Sequence, residues 1–227
     1  MTDAISFATQ GDMNILAIAD FAAIVVAPGM PETVHGRARG MDAIPMALRR
    51  RMSRFETGAV RCALGLIEPG ADETLILASR YGGMTTAFGL LESLAAREIL
   101  SPSDFSISVH NAAPGLASQI ARNRAGHTAV AADTHTFHAA LTEAAARLCD
   151  GERAVTVIFA EQPLPGVYAE VEEPDDPREV WLAVQLHANG ENADNAHALG
   201  PGRRGACALV EALERGERRI CWRTGAP

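Results

Sequence analysis

The chain has 227 residues, enough to bury a sizeable core as one domain, and its 48% hydrophobic and 21% charged content is that of an ordinary globular protein. A formal net charge of −8 argues against nucleic acid as a partner, and all 20 basic residues are arginine, which excludes a lysine Schiff base, a catalytic ammonium or a P-loop phosphate contact. No stretch is long and apolar enough to span a bilayer, the first residues form no signal pattern, and a cytoplasmic protein is expected.

Cys62, Cys149, Cys207 and Cys221 stand far apart, with neither a metal nor a redox spacing, as the small core residues of a cytosolic chain do. Residues 1–12 lack periodicity and read as a loose terminus. Residues 14–26 predict one bent strand or two short ones. Residues 28–43, punctuated by Pro28, Gly29, Pro31, Gly36 and Gly40, predict a loop. Ser53 followed by Glu56 has the form of a capping box, so a helix is expected from Arg54 to about Ile67. Residues 73–79 (ETLILAS) predict a buried strand running into Arg80-Tyr81-Gly82-Gly83. Met84, Ala87, Phe88, Leu91, Leu94 and Ala95 then recur at helical spacing, in a helix that reaches about Glu98. Ser101-Pro102 ends that unit and opens an extended approach to a helix that begins at His110-Asn111.

The central stretch follows. Residues 128–132 (TAVAA) predict a short strand, Asp133-Thr134-His135 a sharp corner, and Phe137, Ala140, Leu141, Ala144 and Leu148 one face of a helix. A strand-to-helix corner presents a side chain at a helix N-terminus, where free N–H groups favour developing negative charge. Enzymes place a nucleophile there; this chain has Thr134. Beyond the corner helix, which Asp150-Gly151 closes, residues 154–160 predict a buried strand, 161–179 an acidic proline-rich loop and 180–186 an alternating strand. Residues 188–203 read as a loop, 205–215 as a helix and 219–223 as a last strand. The skeleton is β-α-β-α-β-α-β-β: an α/β fold with a five-stranded mixed sheet between two helix layers. It forms one domain over 1–227, of which 188–227 is a short C-terminal helix-strand appendix.

That skeleton is similar to one half of a thiolase-type condensing enzyme, a thiolase-like half with its corner after the third strand. The segments IPMALRRRMSR (44–54), LASRYGG (77–83), SPSDFSISVHNAAPGLAS (101–118), AGHTAVAADTHTFHAALTEA (125–144) and EQPLP (161–165) resemble, in order, the small beta-ketoacyl synthase N-terminal domain family, whose members accompany ketosynthases in aryl-polyene-type gene clusters. In condensing enzymes the corner carries a cysteine, in a pattern like A-T-A-C-T-S. Laid over it, VAADTHT puts Thr134, or one of its neighbours Asp133 and His135, at the nucleophile position. Active condensing enzymes also have a duplicated second half that brings two histidines, or a histidine and an asparagine, and usually a lysine. The resemblance thus implies a subunit like a chain-length factor, not catalytic alone. It would form a heterodimer with a full-length ketosynthase, work with acyl carrier protein in polyene or fatty-acyl (polyketide-type) biosynthesis, and wall the acyl tunnel, with no cofactor and no metal. In thiolase-type proteins the strand before the corner, here residues 127–132, lies at the sheet edge and pairs with its counterpart across the dimer. His110, Asn111, Val130, Ala131, Phe137 and His138 become candidates for lining the acyl pocket or the subunit contact.

Other patterns have two readings each. Arg49, Arg50, Arg51 and Arg54 suit an acidic carrier protein, because guanidinium forks match phosphate and carboxylate, or form a solvated cluster. His135 and His138 share a helix face and, with His127, could hold a metal, but no carboxylate set accompanies them; polar lining is the plainer reading. Gly82-Gly83 fits no nucleotide fingerprint and reads as a tight turn. Neighbouring side chains on a corner diverge, so Asp133-Thr134-His135 makes no nucleophile-base-acid trio by itself. Two rival functions stand beside the subunit: a hydrolase or acyltransferase using Thr134 with a histidine, and a homodimeric acyl-binding module.

Overall fold

β1 (Met13–Val26) is one strand of 14 residues, long enough to pair along both of its edges. Its bend is a bulge: the register against its neighbour shifts between Ile18 and Asp20, and Asp20 Oδ1 accepts the Phe21 N–H at 2.9 Å. β2 (Thr33–Gly36) folds back on it inside the expected loop. After the single turn α1 (Met46–Arg49), α2 (Arg54–Leu66) starts at the capping box: Ser53 Oγ accepts the Phe55 N–H, and Glu56 Oε2 accepts the Ser53 N–H at 2.9 Å. β3 (Thr74–Ala78) and α3 (Met84–Ala95) follow. The extended approach is instead a helix, α4 (Pro102–Ile107). Pro102 sits in its first turn, where a missing N–H costs nothing, and Ser101 Oγ caps the Asp104 N–H. Then come α5 (Ala112–Ala121), β4 (His127–Val130), α6 (Thr136–Cys149), β5 (Ala154–Glu161), β6 (Glu179–His187), β7 (His197–Ala198), α7 (Gly202–Glu214) and β8 (Arg219–Arg223). This computed structural model describes residues 13–168, 170, 172, 176–187 and 196–223; the terminus expected over 1–12 and the loop residues 188–195 lie outside them.

The described strands form an eight-stranded mixed sheet, ordered β4-β3-β5-β6-β1-β8-β7, with β2 on β1. Five strands were expected. β2 and β7 are too short to show alternation; β8 pairs antiparallel with β1, and α7 packs into the same core as α6. β3, β4 and β5 run parallel; β6 lies antiparallel to β5 and β1.

Strand periodicity then builds two cores. Ile76, Ala78, Val155, Val157, Phe159, Leu182 and Val184 face α6 and α7, while Leu75, Leu77, Ile158, Ala160, Trp181 and Ala183 face α2 and α5. Both faces are covered, as an α/β layering requires.

Two surfaces are left uncovered among the described residues. β4 is the outer strand of the sheet, and its far edge pairs with no described strand. α3 buries none of its residues: Leu91 and Leu94 are 51% and 60% exposed, and Ile99, Phe105 and Val109, in and beside the adjoining α4, are exposed as well. The helical stripe read from the sequence is real: Phe88 packs edge-on against Tyr168, while Leu91, Leu94 and Ala95 stay exposed among the described residues.

Candidate functional site

The carboxyl ends of the parallel strands β3, β4 and β5 open on the same side of the sheet, where α/β folds place their ligands. The corner after β4 stands there. Asp133 has φ +52°, the left-handed region that aspartate tolerates better than most residues. Around it, Thr136 Oγ1 accepts the Ala132 N–H at 2.9 Å and donates to the Asp133 carbonyl at 2.6 Å, and the His135 N–H closes the turn on the Ala132 carbonyl at 3.0 Å. The Arg80 guanidinium ion-pairs with the Asp133 carboxylate and lies 4.8 Å from the centre of the Tyr81 ring.

The segment ahead of α7 is tied to the same corner. The Gly202 N–H donates to the Thr134 carbonyl at 3.0 Å, and His138 Nε2 is 3.1 Å from the Leu199 carbonyl. A carbonyl only accepts, so His138 carries its proton on Nε2; Nδ1 is buried and makes no hydrogen bond among the described residues. Burial pushes the imidazole below its ordinary value, against the opposing bond to Leu199, and keeps it neutral.

Together these pieces enclose a cavity of about 190 Å³ lined by Arg80, Tyr81, Asp133, Thr134, Thr136, Phe159, Glu161, Glu172, Pro201, Gly202, Arg203 and Arg204. At its wall Glu161, 5% exposed, ends the buried strand β5. Glu161 Oε1 accepts from the Arg80 backbone N–H and from Ser79 Oγ at 3.4 Å. Desolvation raises this carboxyl to about 7 in spite of those donors and of the nearby Arg203 and Arg80 charges. Arg203, itself buried, pairs with Glu172 at 2.7 Å.

Thr134 lines this cavity, and its Oγ1 lies 3.2 Å from His135 Nδ1. The two side chains were expected to diverge; the left-handed Asp133 tightens the corner and brings them together instead. They form a pair and not a trio, because the Asp133 carboxylate is held by Arg80. The rings of His135 and His138 are 5.4 Å apart, whereas His127 lies against Gly115 of α5, and among the described residues no three His, Cys, Asp or Glu side chains gather as a metal would need.

The other candidates are dispersed. Val130 and Ala131 lie at the end of the open edge strand. Phe137 is fully buried and stacks on Phe159, whose ring reaches the cavity, with centroids 5.0 Å apart. His110 packs over the turn at Gly82, where φ is +60° and an added Cβ would meet the imidazole at 2.9 Å; Asn111 precedes α5 and does not cap it. Arg54 pairs with Glu179 beside the Trp181 ring, while Arg50 and Arg51 are exposed and meet no carboxylate among the described residues. Sequence reasoning missed Arg80, Tyr81, Glu161, Glu172, Arg203 and Arg204 as a group. One signal was readable: a glutamate ending an otherwise apolar strand.

No curated protein matches the sequence. Among solved structures, a chain of the complex of a ketosynthase with its chain length factor from Xenorhabdus doucetiae superposes with a TM-score of 0.71 at 24% identity, over 89% of this chain and 92% of that one. The ishigamide ketosynthase/chain length factor gives 0.57 at 15% identity, over 79% of this chain and 63% of that one. A type II polyketide synthase acyl-carrier protein complex with its ketosynthase bound to the hexaketide gives 0.58 at 13%, over 89% and 66%. These likenesses show the fold, and against the latter two the chain spans about two thirds of the matched length. The family model described as beta-ketoacyl synthase, N-terminal domain matches residues 27–213, and the chain belongs to that family.

Proposed function

We propose that the chain is a non-catalytic, chain-length-factor-like subunit that pairs with a beta-ketoacyl-carrier-protein synthase and shapes its acyl tunnel, as a single cytoplasmic domain. The observation that carries this reading is the corner. The resemblance lays Thr134 or a neighbour over the cysteine of the family's condensing members, and no cysteine is near to replace it. Cys62, Cys207 and Cys221 are buried in α2, α7 and β8, and Cys149 is exposed at the far end of α6. A neutral threonine is a weak nucleophile without a well-oriented base. The open β4 edge and the exposed apolar side chains of α3 and α4 support a partner, since an unpaired edge of uncharged residues is a liability in a lone subunit. Similar chains occur in complexes named for a ketosynthase with its chain length factor and for a ketosynthase with its carrier protein. The exposed Arg50 and Arg51 offer guanidinium groups to such an acidic carrier.

The contact between Thr134 and His135 favours one second reading, a hydrolase or acyltransferase. Incubating the chain alone with malonyl- and acyl-carrier proteins separates the two. The subunit reading predicts neither condensation product nor an acyl adduct by mass spectrometry. In the reconstituted complex, Thr134→Ala should change turnover less than tenfold, about 1.4 kcal/mol of barrier. An adduct on Thr134, or loss of nearly all turnover with assembly intact, would establish the second reading instead.

A further inference from the structure

We propose that α3 is a hinged flap: in the free chain residues 84–100 open and refold as a unit while the sheet stays intact, and a ketosynthase subunit that covers the exposed stripe holds the helix closed. The opening is a property of this chain alone; the closing step rests on the subunit reading above.

Little holds α3 together. A helix of 12 residues is marginal in water unless its apolar face is packed, and none of its residues is buried. Its principal neighbour among the described elements is α4, a helix of 6 residues that buries Ile107 and leaves Phe105 exposed. The ends of α3 are poorly closed. Gly83 at the N-cap brings no side-chain acceptor, no acidic residue stands in the first turn, and no basic one stands in the last. Just past the C-cap, Arg97 takes φ +56°, a left-handed conformation that glycine adopts freely and arginine does not.

Gly89 is the most telling position. It sits in the middle of the helix, where glycine is less favourable than alanine, and a Cβ built on it would meet nothing within 4 Å. No close approach within the described chain calls for a glycine there. Against these weaknesses stands one aromatic contact, Phe88 edge-on to Tyr168 with ring centroids 5.8 Å apart.

The flap has defined ends. On one side the Gly82 N–H donates to Ser79 Oγ at 2.9 Å and the His110 ring lies over Gly82. On the other, Ser101 Oγ caps the Asp104 N–H and Ile107 is buried. α6 provides the contrast within the same molecule: Phe137, Ala140, Leu141, Ala144 and Leu148 anchor it in the core, so its amides exchange only when the core opens.

The test is hydrogen–deuterium exchange of the full chain, read by mass spectrometry and corrected for intrinsic rates. We expect α3 amides to exchange more than about tenfold faster than those of α6, the mark of local opening. Gly89→Ala should slow exchange in α3 about fivefold, the difference in helix propensity between the two residues, and leave α6 and the thermal melt unchanged. Phe88→Ala should speed exchange in α3 several-fold, again without effect on α6. Protection of α3 within about tenfold of α6, or a Gly89→Ala effect that spreads equally to α6, would overturn the flap. In a complex with a co-expressed ketosynthase, exchange in α3 should slow at least about tenfold, and a smaller change in a complex that forms would overturn the closing step. Failure of any complex to form, seen by sedimentation, would refute the subunit reading and the closing step with it. Exchange in the free chain would still decide whether α3 opens.

Discussion

Phe105 on α4 is 64% exposed, and Leu91 and Leu94 on the adjoining α3 are exposed apolar side chains too. If a partner subunit covers this face, truncating the ring removes a large fraction of the contact while leaving the isolated chain nearly untouched. An aromatic side chain buries about 150–250 Å² in full, so roughly 130 Å² of Phe105 remains for a partner to cover. At about 25 cal/mol per Å² that is about 3 kcal/mol, or on the order of a hundredfold in dissociation constant. Phe105→Ala should therefore weaken association with the ketosynthase about a hundredfold. The melting of the isolated chain should stay within what about 0.5 kcal/mol allows, as for a surface substitution. Titration of the purified partner by fluorescence anisotropy, with thermal melts beside it, reads both quantities. An unchanged dissociation constant, or a melt lowered as much as a core truncation would lower it, would refute the reasoning that this face awaits a subunit.

Glu161 makes stability pH-dependent. Its carboxyl is raised in the folded state to about 7 from an ordinary 4.5, so the fold binds the extra proton and loses stability as pH climbs between those values. Between pH 5 and pH 8 that amounts to about 2–3 kcal/mol, and melts of Glu161→Gln should lack this share of the decline. Gly58 of α2 lies flat against the Trp181 indole, where a Cβ would stand 2.4 Å from ring carbon Cδ2. The ring is buried and its Nε1–H donates to the Phe55 carbonyl at 3.0 Å, so it cannot retreat cheaply; Gly58→Ala should cost about 1–3 kcal/mol in urea unfolding.

The corner and its helix were legible because local pattern alone specifies them. Thr128, Ala129 and Val130 suit a short strand, and Phe137, Ala140, Leu141, Ala144 and Leu148 keep a strict helical period and are all buried. α2 was legible through Ser53 and Glu56, a reciprocal cap that works within one turn. Pairing was not legible. Nothing in RICWR says that Ile220 stands opposite Leu16, some two hundred residues earlier, and two-residue β7 has no period to read. Ser101-Pro102 was read as a break, although the same pair starts a helix when the serine caps it. The cavity was the least visible feature, because Arg80, Asp133, Glu161, Glu172 and Arg203 come from five separate segments that meet only through the sheet order. Apolar periodicity on α3 marked a helix correctly but left open which molecule covers its stripe.

The most direct measurement of the subunit assignment is sedimentation of the chain with and without a co-expressed ketosynthase, repeated with Ala131→Arg. Ala131 is exposed just past the open edge strand β4, and a charge there would be buried unpaired if a partner strand extends the sheet. The account predicts a defined heterodimer with the ketosynthase and its loss or marked weakening in the variant. A well-folded monomer in both cases, indifferent to Ala131→Arg, would contradict it.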